Sequence, residues 1–200
     1  MILLGCLDDD GNLHVLDEHA ARGLIVAQHV HAAKEMLIRH KIGLVNPKLE
    51  AALMEASAGG LPVCFPGGLP TCFSRRLSRM FVGGDLFARQ YDGNTIAELF
   101  REQGIHLSQA NTNRARGWAE ILHRLGAPDS GIKPTLFIHP RCEHLLNTLP
   151  YLQHDPDDPA DILKSNPDEE GLGGDDAADC LRYLVASKVR EIYQVKLRGL

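Results

Sequence analysis

The sequence predicts an α/β fold, a mixed sheet with helices packed against it. Short apolar runs alternate along the chain with stretches of helical period, and Gly, Pro and Asp clusters separate them. The run order is two or three strands, helix, strand, helix, strand, helix, strand, helix, without an internal repeat. Two hundred residues are enough to bury a real core as one domain.

The first strands are the apolar runs at 2–7 and 13–16. Between them Asp8-Asp9-Asp10-Gly11-Asn12 contains an Asp-Gly step, a strong hairpin signal. Residues 20–42 have helical spacing, with Leu24, Ala27, Val30, Ala33, Leu37 and Ile38 on one side. A short helix at 48–56 is expected after Pro47. Residues 59–74 carry Gly59, Gly60, Pro62, Pro66, Gly67, Gly68 and Pro70, which predict a surface loop or flap outside the core.

Regular structure resumes with a strand at 80–82, ending in Gly83-Gly84-Asp85. Thr95 and Glu98 have the spacing of a capping box, so a helix is expected to start there and stop at Gly104. A strand at 105–110, an amphipathic helix at 114–125, a strand at 135–138 and a helix at 141–153 follow. Residues 154–174 read as a loop rich in Asp, Pro and Gly. A long last helix over 176–197 carries the apolar stripe Leu181, Leu184, Val185, Val189 and Ile192.

Hydrophobic content of 44% and charged content of 24% are ordinary for a globular domain. No apolar run approaches the ~20 residues of a membrane span, and the start lacks a basic region of the signal-peptide kind. Five scattered cysteines without a CxxC pair read as free thiols in a reducing cytoplasm. A net charge of −5 argues against a generally basic nucleic-acid binder. It leaves room for an enzyme that meets DNA through metal ions and a local basic patch.

The chemistry concentrates in Gly173-Gly174-Asp175-Asp176-Ala177-Ala178-Asp179-Cys180-Leu181-Arg182-Tyr183. On a helix Asp176 and Asp179 project from the same face of the first turn, where like charges repel. A hard divalent cation such as Mg²⁺ or Mn²⁺ would offset that repulsion through oxygen ligands. The plainer reading makes Asp175 an N-cap and leaves the others to complement the helix dipole. Asp85 stands where a strand ends in two glycines, a place where α/β folds expose functional groups and where a phosphate backbone can approach closely. An ordinary turn aspartate is the alternative there.

The closing Gly-Asp-Asp-Ala-Ala-Asp-Cys-Leu-Arg-Tyr-Leu-Val, at 174–185, resembles the final motif of the nuclease domain of bacteriophage terminase large subunits. Other segments resemble the family in the same order. Asp9-Asp10-Gly11-Asn12-Leu13-His14-Val15-Leu16-Asp17-Glu18-His19 is similar to the hairpin after the first catalytic strand. Val82-Gly83-Gly84-Asp85-Leu86-Phe87-Ala88-Arg89 is similar to the segment bearing the second catalytic acid. Gly117-Trp118-Ala119-Glu120-Ile121-Leu122 and Leu149-Pro150-Tyr151-Leu152-Gln153-His154-Asp155-Pro156 match in style. The resemblance covers most of 1–200 as a single domain, with an insertion or variable region at about 45–79.

The resemblance implies a ribonuclease H-like mixed sheet flanked by helices and lacking the first strand. It implies an endonuclease that hydrolyses phosphodiester bonds of viral DNA with two Mg²⁺ or Mn²⁺ ions, one activating water and one stabilising the leaving oxygen. Carried over by position, Asp85, Asp176 and Asp179 would be the catalytic metal ligands, with Asp175 a weaker candidate. The family's first acid lies on a strand before the hairpin, and by this alignment the chain starts at the second strand. Asp8, Asp9 and Asp10 belong to the turn instead. There is no Gly-x-x-x-x-Gly-Lys-Ser/Thr phosphate loop, so the family's ATPase domain is expected upstream. The expected partners are double-stranded viral DNA, the small terminase subunit and the portal, with no membrane. The alternative is a non-catalytic prophage remnant, or a module of the same fold that docks on DNA or a packaging partner.

Arg75, Arg76 and Arg79 form the densest basic cluster, either a solvated loop edge or a phosphate contact. His139, Cys142 and His144 fall close together, and Cys64 and Cys72 share the Pro/Gly loop, but neither group has a zinc spacing. His29 and His31 face different sides of a helix. Trp118 is expected as a core anchor, and Cys180 lacks an evident base.

Overall fold

The computed structural model describes residues 1–42, 80–91, 93–166 and 174–186. The chain is mixed α/β. Strand β1 (Ile2–Leu7) pairs antiparallel with β2 (Leu13–His19), and β2 pairs parallel with β5 (Leu136–Ile138). A separate two-stranded parallel sheet joins β3 (Met80–Val82) to β4 (Leu107–Gln109). The helices are α1 (Val26–Arg39), α2 (Ile96–Glu102), α3 (Arg114–Leu125), α4 (Glu143–Thr148) and α5 (Asp176–Ala186). None among the described residues is long and apolar enough to cross a membrane.

The predicted hairpin forms. Gly11 takes φ +79°, and the Asp8 carboxylate accepts from the Asp10 and Asn12 amides, closing the turn that the Asp-Gly step announced. The register shifts between Leu4, opposite Asp17, and Gly5, opposite Val15, so β2 carries a bulge there. Gly5 leaves room for Leu184 of the last helix, since a Cβ at that position would sit 2.8 Å from its side chain.

Local signals set the helix ends. Thr95 Oγ1 accepts from the Glu98 amide at 3.0 Å while Glu98 accepts from the Thr95 amide at 2.8 Å, the expected reciprocal cap. The Asn113 side chain accepts from the Arg116 amide and starts α3 at the predicted residue. Helix α1 begins later than its apolar period suggested, at Val26, beyond Gly23 with φ +68°. Its buried face is Val30, Ala33, Met36 and Leu37, whereas Ala27 is exposed. The 141–153 helix divides into α4 and a 3-10 turn at Leu149–Tyr151 that holds Pro150. The expected helix at 48–56, the loop at 59–74 and the whole 45–79 region lie outside the described residues, as do Val189 and Ile192.

Helices cover both faces of the strands. One apolar cluster joins Leu13 and Val15 of β2 and Leu136 of β5 to Trp118 and Ile121 of α3, Leu145 of α4 and Ala177, Ala178, Leu181 and Val185 of α5. The other joins Leu4 of β1 to Val30, Ala33, Met36 and Leu37 of α1, with Phe100 and Ile105. The strand period of two explains the division: Ile2 and Leu4 point toward α1, Leu3 toward α5. Helices α3 and α5 touch closely at Gly117, where a Cβ would lie 2.9 Å from Arg182 Cδ.

Candidate functional site

Asp85 leaves β3 through Gly83 and Gly84 into a 3-10 turn, Gly84–Phe87, and is exposed. Both glycines serve close approach. A Cβ on Gly84 would stand 2.8 Å from Gln109 Nε2, and one on Gly83 would collide with the Asp85 carboxylate and lie 3.4 Å from the Tyr183 hydroxyl. Tyr183 belongs to α5, so the Asp85 carboxylate folds back over Gly83 on the side of the strand that faces α5.

The three acids at the start of α5 have separate fates. Asp176 is exposed and pairs with Arg22 at 4.0 Å, an open surface pair of little energetic weight. Asp179 is committed elsewhere. Its two oxygens accept from Arg114 Nη1 at 3.2 and 3.1 Å, and one also accepts from Arg182 Nε at 3.0 Å. Asp175 is half-buried, and its carbonyl accepts from the Asp179 amide at 2.8 Å. Burial raises the Asp175 carboxyl above its ordinary value, and the charges of Asp179 and Asp176 push it further the same way.

A network fixes the two arginines. Arg114 Nε donates to Asp161, and the Trp118 indole N–H donates to the other Asp161 oxygen at 2.7 Å. The Arg114 and Arg182 guanidiniums lie 5.8 and 5.6 Å from the Trp118 ring centre, and Arg182 also lies 4.5 Å from that of Tyr183. Arg182 is only 1% exposed, so Asp179 supplies the negative charge that makes its burial tolerable. Burial raises the Asp161 carboxyl, but hydrogen bonds from Arg114, the Ile162 amide and Trp118, with the Arg114 charge, together outweigh it and hold the group down at about 2. Trp118 is the core anchor expected of it, with its polar edge satisfied.

The acids do not close into a metal-binding group. No cluster of three or more His, Cys, Asp or Glu side chains suited to an ion occurs among the described residues. The structure thus brings Asp85 to the α5 side and leaves Asp176 open, while Asp179 is held by arginines. Arg75, Arg76 and Arg79 lie outside the described residues. His139 accepts from the Arg141 amide through Nδ1, and Cys142 is fully buried, its thiol pushed up to about 12 by burial and by Glu18 and Asp17.

A second charged cluster escaped sequence reasoning. Asp17 on β2 is buried and accepts from Arg39 Nη1 at 2.7 Å and His40 Nε2 at 2.8 Å, with Arg141 Nη1 at 3.5 Å. Its signal was the alternation Leu13, Val15, Asp17, which puts a carboxylate on the buried face of the strand. Next to it, Glu18 accepts from the His144 and Leu145 amides at 2.6 and 3.0 Å and caps α4 from a distant strand.

No family model, no curated protein and no solved structure matches this chain.

Proposed function

We propose that the chain is a ribonuclease H-like domain of the terminase large-subunit nuclease type, with an endonuclease site that is incomplete as it stands. The observation that supports this reading is the placement of Asp85. A strand-end aspartate, freed by two glycines, lies on the side of Tyr183, in the helix whose first turn carries Asp176 and Asp179.

The residues present do not fit a pair of Mg²⁺ or Mn²⁺ ions. Such a site needs several carboxylates converging without cationic competitors. Here Arg114 and Arg182 occupy Asp179, leaving Asp85 and Asp176 as open acids. The domain would act on double-stranded viral DNA in the host cytoplasm, beside a small subunit, a portal and an ATPase domain.

Plasmid cleavage in Mn²⁺ by the purified 200-residue chain tests the reading. Poor cutting together with weak Mn²⁺ binding that Asp85→Ala abolishes is expected. Robust cutting that Asp85→Ala abolishes would show a complete site, with a further acid to be sought among Asp8, Asp9, Asp10 and Asp17. Mn²⁺ binding unaffected by Asp85→Ala would overturn the site altogether. The second reading, a docking module without catalysis, draws on the ion pairing of Asp179. It predicts salt-sensitive DNA or partner binding that neither Asp85→Ala nor Mn²⁺ alters.

A further inference from the structure

Strands β1 and β3 belong to different sheets, and each is an edge strand among the described residues. Between them lies an apolar cavity of about 420 Å³. Its lining has an unusual pattern. Met1, Ile2, Leu3, Leu4 and Gly5 all border it, and so do Met80, Phe81 and Val82. A strand that presents one face to a cavity contributes every second residue. Consecutive residues from both strands place each strand edge-on to the gap rather than face-on.

The remaining walls are helical. Ala33, Met36 and Leu37 of α1 and Phe100 of α2 cover one side, and Cys180 and Leu184 of α5 cover the other. We infer that this gap is a receptor for an extended strand of about five apolar residues, supplied by a partner polypeptide, that pairs with β1 and β3 and joins the two sheets into one. Backbone complementarity selects this occupant. A small apolar molecule would fill the space but offer no backbone partner to either edge, a costly outcome away from water. A strand offers one to both edges, and helices on both of its faces call for apolar side chains throughout.

The contact now made by the β1 edge is a poor substitute. The Cys180 thiol lies 3.9 Å from the Met1 carbonyl oxygen. Sulfur is a weak donor and a weak acceptor, so a strand backbone would displace it with gain. The inference stands independently of the nuclease reading, since it needs no acid and no metal.

The probe is a fluorescein-labelled peptide, Lys-Lys-Val-Ile-Val-Ile-Val-Lys, added to the purified full chain and followed by anisotropy and amide hydrogen exchange. Its control carries N-methyl groups on both Ile residues, keeping the side chains but removing two donors. The expected result is saturable binding, with exchange slowed about tenfold or more at Leu3, Gly5 and Phe81. The control should bind about tenfold or more weakly, the worth of one or two backbone hydrogen bonds. No binding, equal binding of both peptides, or protection of only one strand would overturn the inference. So would amides on both edges that are already protected before peptide is added, which would mean that the edges are paired within the chain. Plasmid cleavage reports on the nuclease reading alone, so the two fail separately.

Discussion

Arg114 on α3 holds both carboxylate oxygens of Asp179 on α5 with a single terminal nitrogen, across 65 residues of sequence. The same aspartate receives Arg182 from its own helix, and the same Arg114 reaches Asp161 in the loop before α5. Three chain segments thus meet on one ion-pair network over the Trp118 ring. Asp179 is a stabilising residue here. Asp179→Ala should cost about 2–3 kcal/mol, because it strands a buried guanidinium. Asp176→Ala, at an exposed site, should change stability by less than about 0.5 kcal/mol. Urea midpoints for the two variants check the contrast, and a neutral Asp179→Ala would refute it.

Gly117→Ala sets helix propensity against packing. Alanine in a helix interior gains about 1 kcal/mol over glycine. The new methyl would collide with Arg182, whose Nε is tied to Asp179 and whose guanidinium packs on two rings. Overpacking of this kind costs about 1–3 kcal/mol, so a net loss is expected. Thermal unfolding decides the sign, and a raised Tm would show that Arg182 yields easily.

Glu18 caps α4 from β2 through two charge-assisted hydrogen bonds. Glu18→Ala should lose about 1–2 kcal/mol and speed amide exchange at His144 and Leu145 ahead of the rest of the helix. Uniform change along α4 would mean that the cap acts otherwise.

Stability should fall in two steps as pH drops. Burial lowers the His19 and His29 imidazoles below their ordinary 6.5, and His29's charge adds to the effect on His19. The two rings lie 3.3 Å apart, nitrogen to nitrogen. Stability from this neutral pair is complete above 6.5 and is lost as pH falls below it through the depressed values. Burial raises the Asp17 carboxyl, but hydrogen bonds from His40 and Arg39 outweigh it and hold the group at about 2. Asp161 stands at the same value. Both carboxylates contribute above the ordinary range near 4, and that stability goes between about pH 4 and 2. Urea midpoints from pH 8 to 2 test this: His29→Gln should flatten the upper step, and Asp17→Asn should shrink the lower one.

Much of the scaffold was legible because its signals are local. The Asp10-Gly11 step and the Thr95–Glu98 box each act within a few residues, and both stand where the sequence placed them, as does the helix at 114–125. The site was less legible because its electrostatics are not local. Helical spacing put Asp176 and Asp179 on one face, but only the fold brings Arg114 to one of them. Asp161 sat in a stretch of Asp and Pro with nothing to distinguish it from its neighbours, yet it anchors both Arg114 and Trp118. The split of the strands into two sheets was equally hidden, since apolar runs reveal strands but not their partners.

The hairpin of β1 and β2 sends side chains to both apolar clusters: Leu13 and Val15 into one, and Leu4, with Ile2 and Leu16 beside it, into the other. It is therefore the seam through which two cores share their free energy of folding. Each core is expected to open as its own cooperative unit, with the hairpin as the common boundary. A change in the Asp8–Asn12 turn that leaves every core residue untouched should then loosen the coupling, turning one unfolding transition into two.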